Sequence, residues 1–139
     1  MRLVFSRSHS IGSLIIRGVC WSGFSHCGVW TEDGTVIEAT WPQGVREVGL
    51  ATFVKHASHW EFVDIDVPNE AAGIAWGRSQ IGKPYDVWGV IGLGLRRNWQ
   101  ADDAWWCSEF MEMLVAKAER PRFRRDAHRL TPYHSWIAS

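Results

Sequence analysis

Cys107 stands in "DDAWWCSEFMEMLVAKA", where apolar residues recur at helical spacing; the pattern predicts a helix from near Asp103 to about Ala118, with Asp102 or Asp103 as its N-cap. A thiol in or near the first turn of a helix meets free backbone amides and the positive end of the helix dipole, which stabilise a thiolate. That is what a nucleophilic cysteine requires. The same position suits an inert cysteine packed as a small hydrophobe, and position alone weighs the two readings evenly.

A catalytic cysteine needs a base, and the chain has six histidines. His56, His59, His128 and His134 lie in polar, irregular contexts, and His9 in a polar "SRSHS" loop reads as a surface or pocket-edge residue. His26 differs because it opens the strand pattern "HCGVW". From a strand end an imidazole can overhang a helix N-terminus packed on the sheet, the geometry of thiol enzymes, although position alone favours a structural histidine. Glu38, in "TVIEAT", follows twelve residues later.

Whether His26 and Glu38 can cooperate depends on the turn between them. A two-residue turn at Asp33-Gly34 pairs Val29 with Glu38 and leaves His26 and Glu38 on opposite faces. A three-residue loop, Glu32-Asp33-Gly34 with Gly34 left-handed, pairs Gly28 with Glu38 and His26 with Thr40, making His26 and Glu38 diagonal neighbours. The second register is preferred because it gathers Cys27, Val29, Ile37, Ala39 and Trp41 on one apolar face. It also leaves room at Gly28 for the carboxylate to orient the imidazole. The bland alternative for Glu38 is a solvated strand carboxylate.

These side chains need a scaffold. Leu3 to Ser6 reads as a short strand, Ile11 to Val19 as a helix or helical turn, and Cys27 to Thr31 with Val36 to Trp41 as a hairpin around Asp33-Gly34. Glu61 to Val67 is a third strand. Asn69 caps a helix from about Glu70 to Ile81, which Gly82 ends and Pro84 keeps from resuming. With the Cys107 helix this makes an α+β fold: a small, mostly antiparallel sheet with that helix packed on one face.

The 139 residues suit one domain, 1–139, with one sizeable core. Lysine plus arginine and aspartate plus glutamate balance at 15 each, so no polyanion-binding role and no nucleic-acid partner is expected. Apolar runs such as Val87 to Leu95 and Leu14 to Ile16 fall well short of the roughly 18 residues of a membrane span. The N-terminal stretch lacks a continuous apolar signal region, so cytoplasmic location is the default expectation, and delivery to a cell wall would need a separate route. Three cysteines without a close pair, Cys20, Cys27 and Cys107, argue against a disulfide framework or zinc ribbon and leave at least one thiol free. Ten tryptophans are unusual in so short a chain; most are expected in the core, a minority lining a site. The segment "KAERPRFRRDAHR" at 117–129 reads as a solvated surface after a helix that Pro121 stops, and "LTPYHSWIAS" as an ordered tail.

Taken in order, "SHCGVW", "TVIEAT", "GKPYDVWG", "WWCSEF" and "LTPYHSW" resemble the circularly permuted papain-like thiol hydrolases, the YiiX-like and lecithin:retinol acyltransferase-like branch of the NlpC-type superfamily. The resemblance spans most of the chain. It implies a permuted papain-like fold in which histidine and polar partner precede the cysteine, with Cys107 as nucleophile, His26 as general base and Glu38 as the residue orienting His26. "GKPYDVWG" is similar to a segment whose tyrosine borders the active site, so Tyr85 is expected at the substrate, together with Trp41 and Trp106. Trp106 stands where cell-wall peptidases have an aspartate, and Glu109 where they often have a glycine, so the chemistry carries over better than the substrate. The implied reaction is acyl transfer through a thioacyl-enzyme, with no metal or organic cofactor needed. The implied substrates are a peptide, a peptidoglycan fragment or another amide, with a lipid acyl ester or amide as the alternative. A binding or structural protein that keeps the fold without turnover is the remaining class. Nothing in the chain sets an oligomeric state.

Overall fold

Leu3, Val4 and Phe5 are consecutive and apolar, and a strand can bury three such neighbours only if both faces of its sheet are covered. The computed structural model, which describes residues 1–9, 13, 22–94, 103–123 and 130–138, meets that condition. Five strands, β1 (Arg2–Arg7), β2 (His26–Trp30), β3 (Thr35–Thr40), β4 (Gly44–Gly49) and β5 (His59–Asp64), form one sheet in the order β4-β3-β2-β1-β5. Each neighbouring pair is antiparallel.

Helices follow as α1 (Leu50–Phe53), α2 (Glu70–Ser79), α3 (Val87–Gly94), α4 (Cys107–Lys117) and α5 (Pro132–Ile137). One sheet face turns Leu3, Phe5, Cys27, Val29, Ile37 and Ala39 toward Phe110, Met111, Leu114 and Val115 of α4. Each large side chain fully buried there contributes roughly 1.5–3 kcal/mol. The other face carries a smaller cluster in which Val4 and Val36 meet Phe53 of α1. Helix α2 packs alongside α4 and begins where expected, its Asn69 side chain accepting the Ala72 amide at 3.1 Å.

The third strand expected at Glu61 to Val67 starts earlier and ends at Asp64, held in register by β1 through pairs such as Leu3 with Val63. Four elements are additional to the sequence reading: strand β4, paired with β3, the short helix α1 that follows it, helix α3, formed by the apolar run after Asp86, and helix α5 within the ordered tail. Two histidines placed in irregular contexts belong to regular elements, His59 to β5 and His134 to α5, where it completes a capping box with Thr131. The tail packs back as expected, with Trp136 bonding to Glu61 of β5 and its ring centroid 5.7 Å from that of Phe24. After α4, Glu119, Arg120 and Pro121 are exposed as a solvated surface requires, whereas the Arg122 side chain is buried and ion-paired with the buried Glu112 of α4. Residues 124–129 of that segment, the helix expected at Ile11 to Val19 apart from Ser13, and Cys20, Asp102 and His128 lie outside the described residues.

Candidate active site

The loop between β2 and β3 sets the site. Thr31 and Thr35 close it, the Thr31 amide donating to the Thr35 carbonyl at 2.8 Å and the Gly34 amide to the Thr31 carbonyl at 3.0 Å. Gly34 takes a φ of 80°, which glycine adopts without penalty, so Glu32, Asp33 and Gly34 form a three-residue bulged turn. The resulting register pairs Val29 with Ile37 and Trp30 with Val36, as the three-residue loop requires, and Gly28 lies beside Glu38, to whose Cβ a Cβ at Gly28 would come within 3.4 Å. A Cβ at Gly28 would lie 2.7 Å from Val36 Cγ1 and 2.9 Å from the Ile37 carbonyl oxygen, so the strands approach here as only glycine permits. His26 and Glu38 are diagonal neighbours, and His26 Nε2 is hydrogen-bonded to Glu38 Oε2.

Helix α4 begins at Cys107 itself, not at Asp103. Trp106 is the N-cap residue, extended and without a side-chain cap bond. The Trp105 amide donates to the Pro84 carbonyl and the Asp86 amide to the Trp105 carbonyl, each at 3.1 Å, so residues before Cys107 are held extended beside 84–86 and cannot join the helix. Asp103 is exposed and pairs with Lys83 at 3.6 Å instead of capping. Without a competing cap, the amides of the first turn are left to the sulfur.

Cys107 shares a core cluster with Cys27 of β2, and two successive residues of that strand, Cys27 and His26, set its electrostatics. Its pKa is held well below the ordinary thiol value, first by a hydrogen bond from Cys27; burial opposes this, and His26 and the Ser108 backbone amide add to it. Cys27 is pushed well above the ordinary value, first by burial and then by that same bond, so it stays the protonated donor. For His26, burial favours the neutral ring, but hydrogen bonds to Cys107 and Glu38 and their charges outweigh it and push the pKa up to about 10. With Nε2 on Glu38, Nδ1 is the nitrogen left for the thiol. The ring also stacks on Phe53, centroids 5.1 Å apart.

Glu38 is 2% exposed and lies across from Arg46 in the β3–β4 ladder. Arg46 donates to Glu38 Oε1 from Nε at 2.8 Å. Burial alone would raise the carboxyl pKa; the bonds and charges of His26 and Arg46 overcome it and hold the pKa below the ordinary range. His26, Glu38 and Arg46 thus form one continuous hydrogen-bonded run, and the electrostatics of His26, Cys107 and Cys27 are coupled to it. A thiol shifted toward thiolate and an imidazole shifted toward imidazolium, the ring backed by a carboxylate and a guanidinium, have the chemistry of a nucleophile, a proton donor and the group that orients it.

No family model and no curated protein matches this chain. A solved structure does: "Crystal structure of metalloprotein yiiX from Escherichia coli O157:H7, DUF1105", with TM-score 0.61 and 22% identity, covering 84% of this chain. The fold is YiiX-like. The chain spans 64% of that relative's length, and the likeness concerns the fold alone. The metalloprotein description belongs to that relative; among the described residues here, no group of three or more His, Cys, Asp and Glu side chains fits a metal ion.

The remaining expected contacts separate. Trp41 leaves the apolar face on which alternation placed it: β3 ends at Thr40, and Trp41 is 68% exposed at the rim of a cleft of about 530 Å³ that His26 and Glu38 also line. Trp106 is 3% exposed, away from that cleft, its Nε1 donating to the Leu130 carbonyl at 3.4 Å. Tyr85 is half-buried against the core cluster that includes Cys107. Arg46 and Cys27 were not singled out from sequence as site residues. An alternating "GVREVG" with Val45 and Val48 was the available signal for Arg46; nothing local marks Cys27 as a donor.

Proposed function

We propose that this protein is a cysteine-dependent acyl-transfer enzyme of the permuted papain-like type, residues 1–139 acting as one unit, whose principal reaction is hydrolysis of an amide bond in a peptide or peptidoglycan fragment. The observation that carries this reading is the hydrogen-bonded run of His26, Glu38 and Arg46 together with Cys107 at the first position of α4, where the thiol is pushed down and the imidazole pushed up. Cys107 as thiolate attacks the carbonyl carbon. The Cys107 amide, at the first position of the helix, donates to the developing oxyanion. His26 as imidazolium gives its proton to the departing amine, and the neutral imidazole then takes a proton from the water that attacks the thioester, releasing the acid and restoring the thiolate. Glu38 keeps the ring's tautomer and orientation through Nε2.

A lipid acyl ester or amide is the second substrate reading, favoured by α3, whose Val87, Trp88 and Ile91 are 38%, 67% and 41% exposed. That helix begins directly after the 84–86 segment bonded to the residues before Cys107.

Alkylation by iodoacetamide tests the chemistry. Cys107 should react rapidly below neutral pH, and His26→Ala should abolish that reactivity; a rate like that of an ordinary thiol, absent until pH nears 8–9, overturns the enzyme reading. Peptidoglycan fragments and long-chain acyl substrates, each compared with Cys107→Ala, separate the two substrate classes. Binding without product, unchanged in Cys107→Ala, assigns a non-catalytic role.

A further inference from the structure

The two ends of the β2–β3 hairpin carry opposite charge. At the turn, a cleft of about 550 Å³ is lined by Glu32, Asp33 and Glu70, with Arg78 as its one cation. At the open end, the cleft of about 530 Å³ beside His26 is lined by Arg7, Arg46 and Lys55 against a single carboxylate, Glu38. The chain as a whole balances 15 cations with 15 anions, so this excess is a local arrangement and not a reflection of overall charge.

Glu38 does not cancel it. Its carboxylate is held between His26 and Arg46, and the imidazolium of His26 is matched by the Cys107 thiolate. Arg7 and Lys55 form no ion pair among the described residues, and both line a concave site, where field lines concentrate. His26 lines this cleft, and its electrostatics are coupled to those of Cys107, which ties the cationic surface to the thiol. Trp41 at the rim offers a flat apolar face to whatever flanks the charged group.

We propose that this cleft binds a negatively charged group of the substrate, a carboxylate or phosphate, next to the acyl group transferred at Cys107, with Arg7 and Lys55 as the cations that select it. The proposal rests on Cys107 and His26 acting as the reactive pair. It narrows the substrate to anionic acyl compounds.

Iodoacetate and iodoacetamide deliver the same alkylation with and without a negative charge, so the ratio of their rates at Cys107, corrected with Cys107→Ala, reads the cleft directly. In the double variant Arg7→Gln/Lys55→Gln the ratio should fall at least about fivefold, within the range by which charged clefts alter on-rates. The iodoacetamide rate should change far less than the iodoacetate rate, and the wild-type preference should shrink as salt rises. Lys117→Gln, which removes one positive charge at the far end of α4, should leave the ratio alone. Acetate and inorganic phosphate, compared as competitors of iodoacetate at equal ionic strength, distinguish the two anions. A ratio unchanged in the double variant, or lowered equally by Lys117→Gln, overturns the anion site while fast iodoacetamide alkylation leaves the acyl-transfer reading standing. Slow iodoacetamide alkylation at acid pH overturns that reading instead.

Discussion

Arg46 reaches the same oxygen of Glu38 twice, with Nε at 2.8 Å and Nη2 at 2.7 Å from Oε1, leaving Oε2 to His26. The carboxylate is thereby divided, one oxygen for the cation that keeps it ionised and one for the ring it orients.

Arg46→Met should raise the Glu38 pKa and loosen His26. Breaking a fully buried pair costs about 3–5 kcal/mol; with Arg46 about one-third exposed, roughly 2 kcal/mol is expected in urea unfolding. Turnover should drop about tenfold, and the acid limb of Cys107 alkylation should move to higher pH, with partial rescue in Arg46→Lys. A stability loss without a moved acid limb would make Arg46 purely structural.

The proposed pair of Cys107 and His26 should also leave a signature in stability against pH. A raised His26 contributes stability that is full below its ordinary 6.5 and lost as pH rises through about 10. A lowered Cys107 contributes stability that is full above its ordinary 9.0 and lost as pH falls toward its folded value. The two together give a plateau between about 6.5 and 9 with a decline on either side. The difference in unfolding free energy between wild type and His26→Ala/Cys107→Ala, followed from pH 4 to 10.5, should trace that shape. A monotonic difference would exclude a thiolate–imidazolium pair.

Cys27→Ala removes the donor that does most to hold the Cys107 pKa down. The midpoint of Cys107 alkylation should shift upward in pH, while the small cavity should cost only about 1 kcal/mol. An unmoved midpoint, measured by the thiolate absorbance, would show that His26 suffices without Cys27.

Gly28→Ala tests the hairpin packing. Its Cβ would overlap Val36 Cγ1 and the Ile37 carbonyl and lie 3.4 Å from Glu38 Cβ, so a loss of about 1–3 kcal/mol is expected. Displacement of Glu38 should also lower turnover disproportionately compared with an equally destabilising substitution such as Val115→Ala, far from the cleft.

What could be read from the chain was what local rules govern. The Gly34 bulge fixed the faces of His26 and Glu38, and Asn69 announced its helix by a short-range cap. What could not be read depended on distant pairing. Asp102 and Asp103 satisfied the local rule for an N-cap, yet the start of α4 is set by the 84–86 segment about twenty residues earlier. Alternation carried Trp41 one residue past the strand. Strand β4 is a half-exposed edge with Arg46 and Glu47 in its middle, a weak apolar signal, and missing it hid Arg46, whose role exists only through its pairing with Glu38.

The turn at 32–34 has one further consequence. Exposed turns are where chains ordinarily accept insertions and deletions. Here the gain or loss of a single residue would slip β3 by one position against β2, sending Glu38 toward α4 and Ile37 to the cleft. Drift in the length of this loop would thus remove the reactive arrangement and the core packing in one event, so its residue count should be far less tolerant of change than the identities of Glu32 and Asp33.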